Sequence, residues 1–138
     1  MIDIDIELKK NPTGTAQQKG VSVVHGKPHF YTKPQVKAQM DEYILLLNQA
    51  LSKQGIKPPY FKDPVRVTIA FHFQIKQPMK WGTFKASTPD LDNVEKLLLD
   101  AMTQVGFWKD DALIVEKHTG KVWSDTAYIR ILVEEVEE

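Results

Sequence analysis

At 138 residues, 42% hydrophobic and 26% charged, the chain is long enough to bury a core, and the expectation is one domain, residues 1–138, rather than two. It has no cysteine, which excludes a disulfide framework, a thiolate zinc site and a cysteine nucleophile, and leaves any metal to oxygen or imidazole ligands. The formal charge of zero is unevenly spread: residues 8–89 hold 13 Lys or Arg against three acids, residues 90–138 five against 12. That asymmetry suits a polyanion held by lysines beside a carboxylate cluster, or simply a solvated basic surface.

Ile2, Ile4, Ile6 and Leu8 alternate with Asp3, Asp5 and Glu7, the period of a half-buried strand and unlike a signal peptide. No apolar run reaches membrane-spanning length, so the expectation is a cytoplasmic protein with no membrane partner. Residues 9–31, rich in Gly and Lys and ending in His29-Phe30-Tyr31, read as a long basic loop, with room for a short hairpin around Gly26. Thr32 is placed to cap a helix with Pro34 in its first turn, whose Val36, Met40, Tyr43, Ile44, Leu47 and Leu51 recur at helical spacing until Gly55.

Val65, Val67, Ile69, Phe71, Phe73 and Ile75 alternate as a second strand, with His72 on its other face as a structural residue. Residues 76–89 form a further loop carrying Lys76, Lys80, Trp81 and Lys85. Val94, Leu97, Leu98, Ala101 and Val105 then mark an amphipathic helix ended by Gly106. Leu113 to Trp123 and Thr126 to Val133 read as two final strands, followed by a frayed acidic tail over 134–138. The order strand-helix-strand-helix-strand-strand predicts an α+β fold: a mixed sheet of about four strands with two main helices packed on it.

The chemistry concentrates at Thr88 to Asp111. Asp92 is the expected N-cap, with Glu95 completing a capping box. If residues 89–91 stay extended, Asp90 and Asp92 point the same way and can share an ion with Asp110 and Asp111, provided the chain after the helix folds back. Lys96 lies one turn beyond Asp92, and Leu99 on the same side implies that this face is covered. Carboxylates about 4 Å apart repel by roughly 4 kcal/mol at an effective dielectric near 20, so such a cluster needs a cation, protonation or Lys96. Other site classes fail: Gly20 to Gly26-Lys27 has five intervening residues and Pro28 where a phosphate-binding loop needs four and Ser or Thr, and the four histidines lack ligand spacing.

Pro-Asp-Leu-Asp-Asn-Val-Glu-Lys-Leu-Leu-Leu-Asp-Ala at 89–101, followed by Gly-Phe-Trp-Lys-Asp-Asp at 106–111, resembles the signature of the RusA family of Holliday junction resolvases. The Lys-Pro-His-Phe-Tyr-Thr-Lys-Pro run at 27–34 is also similar to phage and prophage members. The resemblance implies a bacterial or phage-encoded homodimer that cuts four-way DNA junctions with magnesium, manganese being the alternative ion. It assigns catalysis to Asp90, Asp92, Asp111 and Lys96, and metal binding to Asp90, Asp92, Asp110 and Asp111. Basic residues set to meet DNA are Lys27, Lys33, Lys76, Lys80 and Lys85, the last two candidates for a phosphate contact that some members make from the position of Pro89. Two alternatives stay open: a less selective metal-dependent nuclease, and a non-catalytic DNA-binding or assembly module whose acids only cap a helix.

Overall fold

The computed structural model describes residues 1–13, 19–58 and 60–137. The alternating N-terminus forms β1 (Ile2–Glu7), which buries its three isoleucines and exposes its acids. Two antiparallel strands, β2 (Lys19–Val24) and β3 (Lys27–Thr32), follow. They turn at His25 and Gly26, with φ of 53° and 74°, where left-handed backbone matches the twist of a tight hairpin. The segment read as a long loop is thus largely a hairpin. Its residues 14–18 lie outside the described residues, and the side chains from Ser22 to Phe30 are exposed.

Helix α1 (Pro34–Lys53) starts from Lys33 rather than Thr32, with no side-chain cap. Thr32 stands one residue before the cap position, its backbone paired with Lys19 in the hairpin ladder. The expected stripe is buried at Val36, Tyr43, Leu47 and Leu51. Strand β4 (Val65–Gln74) turns Val65, Val67, Ile69, Phe71 and Phe73 into the core.

After helix α2 (Leu91–Val105) come β5 (Ile114–Ser124) and β6 (Tyr128–Glu135). The four-stranded sheet has the order β1-β6-β4-β5, antiparallel except for the parallel β4–β5 pair. This is the mixed α+β sheet with two helices that the sequence predicts, with the hairpin added. The C-terminal segment is not wholly frayed: Val136 N–H donates to the Pro64 carbonyl at 3.0 Å, and Arg66 pairs with Glu134 and Glu116. No helix among the described residues is long and apolar enough to cross a membrane.

Both helices pack against the Ile2, Val67, Ile69, Phe71, Ile129 and Ile131 face of the sheet. Because β5 pairs Lys117, Thr119, Lys121 and Trp123 with the core-facing residues of β4, this edge strand presents polar side chains toward α2. The acidic stretch therefore meets a hydrophilic border of the sheet.

Candidate active site

Helix α2 begins at Leu91, with Asp90 at its N-cap in extended geometry (φ −65°, ψ 141°) and no side-chain cap. The extended-to-helix junction thus falls between Asp90 and Leu91, and Asp92 sits in the first helical turn. The expected capping box does not form. Glu95 shares the inward stripe of Leu98 and Met102, three and seven residues on, and is buried against β5. There its carboxylate accepts from Thr119 Oγ1 at 2.9 Å and pairs with Lys117.

Asp90 and Asp92 are exposed, and no hydrogen bond or ion pair engages either carboxylate among the described residues. Lys96, on the same side of α2, donates to Asp100 at 3.0 Å rather than to Asp92. Leu99, on that side, is not bare but packs at the rim of the core.

The chain returns from α2 through Gly106, Phe107 and Trp108. Gly106 terminates the helix at φ 105°, and Phe107 and Trp108 are buried. The Phe107 carbonyl accepts from Phe61 N–H at 3.1 Å, and the Trp108 indole N–H donates to Thr103 Oγ1 at 2.7 Å. Anchored so, the reversal delivers Asp110 and Asp111 to a short 3₁₀ turn, Asp111–Leu113, ahead of β5.

Asp110 Oδ1 caps that turn by accepting from Ala112 N–H at 2.9 Å, and Asp110 borders a cavity of about 440 Å³ with Phe61, Lys62, Lys109 and Leu113. Asp111 is exposed. Its negative charge reaches Lys96: the ammonium is held above the usual lysine range by the hydrogen bond and charge of Asp100, and further by the charge of Asp111. The chain reversal thus leaves Asp111 close enough to α2 for its charge to act on Lys96. Among the described residues, no three His, Asp or Glu are drawn close enough to enclose a metal ion.

The five lysines assigned to DNA fare differently. Lys27 on the hairpin and Lys76 and Lys80 after β4 are exposed, and Lys33 at the start of α1 is half-buried. Lys85 is buried, contrary to expectation. Its ammonium lies 5.1 Å from the ring centre of Phe73 and 4.7 Å from that of Trp123, and donates to Ser87 and Thr88. Burial and then the neighbouring Lys121 lower its pKa. Met79, Trp81 and Phe84, in the same loop as Lys76 and Lys80, are exposed.

Sequence reasoning missed Lys117 and Lys121. The signal available was the alternation of β5, where Lys117, Thr119 and Lys121 occupy the positions that apolar residues fill in β4.

A family model described as Endodeoxyribonuclease RusA matches residues 10–134. The chain belongs to this family. A crossover junction endodeoxyribonuclease of Lactococcus phage r1t is 36% identical over 135 residues, covering 97% of this chain and 98% of that protein. Crossover junction endodeoxyribonucleases of Escherichia coli K12 and Shigella sonnei are each 26% identical over 98 residues, covering 71% of this chain and 69% of theirs. The matched region contains both halves of the acidic motif, the junction before α2 and the turn after it.

Proposed function

We propose that the chain is a structure-selective endonuclease that resolves four-way DNA junctions by metal-dependent phosphodiester hydrolysis, acting as a homodimer. The observation that carries this reading is the set of exposed side chains Asp90, Asp92, Lys96 and Asp111, before, on and after α2, inside the region that the family model matches. Near full-length similarity to a phage crossover junction endodeoxyribonuclease supports the substrate class.

Asp90, Asp92 and Asp111 are exposed carboxylates, hard oxygen donors of the kind magnesium takes, and would hold the ion; Asp110, whose Oδ1 accepts from Ala112 N–H, keeps Oδ2 to join them. Bound there, a divalent cation supplies polarisation of the scissile phosphoryl group and acidifies the attacking water. Lys96 turns from Asp100 toward the phosphate and offsets charge that develops on it. Because Lys96 already carries a full charge, it acts as an electrostatic stabiliser and not as a general base.

Lys76 and Lys80, with Lys27 on the hairpin and Lys33 beside it, hold the DNA backbone, and Met79, Trp81 and Phe84 offer apolar surface to unstacked bases. One chain has one such acidic site, so paired cuts across a junction require two copies related by a dimer axis.

The test compares incision of a mobile four-way junction with that of linear duplex at matched salt, in magnesium and in manganese, together with the mass of the protein in solution. Junction incision well above duplex incision, by a dimer, supports the proposal. Equal cutting of both substrates supports the less selective nuclease, and no cutting with either ion overturns the enzymatic reading.

A further inference from the structure

We infer that Lys85 and Lys121 are positioning residues for the acidic site: their two ammonium groups clamp the backbone of Ser87–Pro89 and thereby set where Asp90 stands. What Asp90 does rests on the nuclease reading above; the clamp itself does not.

The contacts are specific. Lys85 Nζ donates to Thr88 O at 2.5 Å, Ser87 Oγ at 2.6 Å and Ser87 O at 3.2 Å. Lys121 Nζ donates to Ser87 O and to Pro89 O, each at 2.7 Å. Three successive carbonyls are thus held by side chains, and the Ser87 carbonyl accepts from both.

These carbonyls take no backbone N–H partner among the described residues, and Pro89 has no N–H to give, so the lysines replace the ladder that the segment lacks. An ammonium has three donors and no acceptor, and all three of Lys85 are engaged, which leaves none for a DNA phosphate.

The clamp is tied to the rigid part of the fold. Lys121 lies on β5 opposite Phe71 of β4. Gly82 N–H donates to Trp123 O at 2.9 Å, Trp123 N–H to Thr83 O at 2.8 Å, and Lys85 N–H to Lys121 O at 3.0 Å. The main chains of the two lysines are therefore bonded to one another, and the ammonium of Lys85 lies over the rings of Phe73 and Trp123. Sheet geometry passes through these groups to Pro89, and Asp90 is the next residue. Magnesium demands near-ideal ligand geometry, and displacement of a reacting group by about 1 Å can cost on the order of a hundredfold in rate.

The test uses Lys85→Met and Lys121→Met, which keep the apolar stems and remove the donors, with three readouts: backbone 15N order parameters of Ser87, Thr88 and Asp90, manganese binding by calorimetry, and metal-free binding to a four-way junction across a salt series. The order parameters should fall from about 0.85 toward about 0.6 and manganese binding weaken about fivefold or more, with junction affinity changed less than about twofold and its salt slope unaltered. Junction affinity falling with a salt slope lower by about one, while order parameters and manganese binding match wild type, would make these lysines phosphate contacts and overturn the clamp. Should Lys85→Met fail to fold, Lys121→Met from its half-buried site decides. If the wild type neither cuts junctions nor binds manganese, the nuclease reading falls, and the order parameters of residues 87–90 alone decide the clamp.

Discussion

Lys96 donates to Asp100 at 3.0 Å along α2, and the charge of Asp111, beyond the helix end and the chain reversal, adds a smaller upward push to the pKa of the same ammonium. The hydrogen bond to Asp100 is the larger influence, and it holds Lys96 in reserve on the surface of α2. Asp100→Asn should therefore lower the Lys96 pKa, while the loss of an exposed i,i+4 pair should cost no more than about 0.5 kcal/mol. Titration of the Lys96 side chain by NMR, beside urea unfolding, checks both.

Gly106 makes the reversal that brings Asp111 back. Its φ of 105° is strained for any residue with a Cβ, and a Cβ there would stand 3.1 Å from Pro58 Cβ. Gly106→Ala should lose about 1–2 kcal/mol of stability from the left-handed backbone alone. Because the same turn positions Asp111, junction incision should fall further than junction binding. Urea midpoints and paired cleavage and binding assays measure the two effects.

The Tyr43 hydroxyl is buried in the core without a hydrogen-bond partner among the described residues. An unsatisfied buried polar group costs stability, so Tyr43→Phe should leave the fold unchanged or make it more stable by up to about 1 kcal/mol, with no effect on DNA binding. A clear loss of stability in urea unfolding would mean that the hydroxyl has a partner in solution.

His72 stacks on Tyr128 with ring centres 3.9 Å apart, on the sheet face away from the helices. Burial lowers its pKa from 6.5, Asp5 opposing and Arg130 reinforcing the shift. With the folded pKa depressed, the unfolded chain binds the proton more readily, so stability is present above about pH 6.5 and is lost as pH falls from there toward the folded pKa. Urea midpoints across that window should decline for the wild type and decline less for His72→Gln.

Much of this was legible because hydrophobic period maps directly onto burial. The alternation of Ile2, Ile4 and Ile6 and of Val65 to Phe73 defined β1 and β4, and the stripes of α1 and α2 followed in the same way. Helix starts were less legible, since a cap depends on where the preceding chain is held: Thr32 is tied into the hairpin, and Asp90, not Asp92, precedes the first helical residue. Lys85 was misread for a related reason. A lysine in a polar loop suggests solvent, and only the return of residues 82–85 along β5 buries it between Phe73 and Trp123. Glu95 likewise reads as a capping residue until β5 supplies Lys117 and Thr119 as partners.

In the proposed function, Asp111 acts with Asp90 and Asp92 in one hydrolytic site. That role is tested most directly by the rate of four-way junction incision in magnesium for wild type and Asp111→Asn, with junction binding measured in calcium. Incision should fall about a hundredfold or more while binding stays within a few-fold, because the lost carboxylate belongs to the chemistry and not to the grip on DNA. Incision by Asp111→Asn at the wild-type rate would contradict the account.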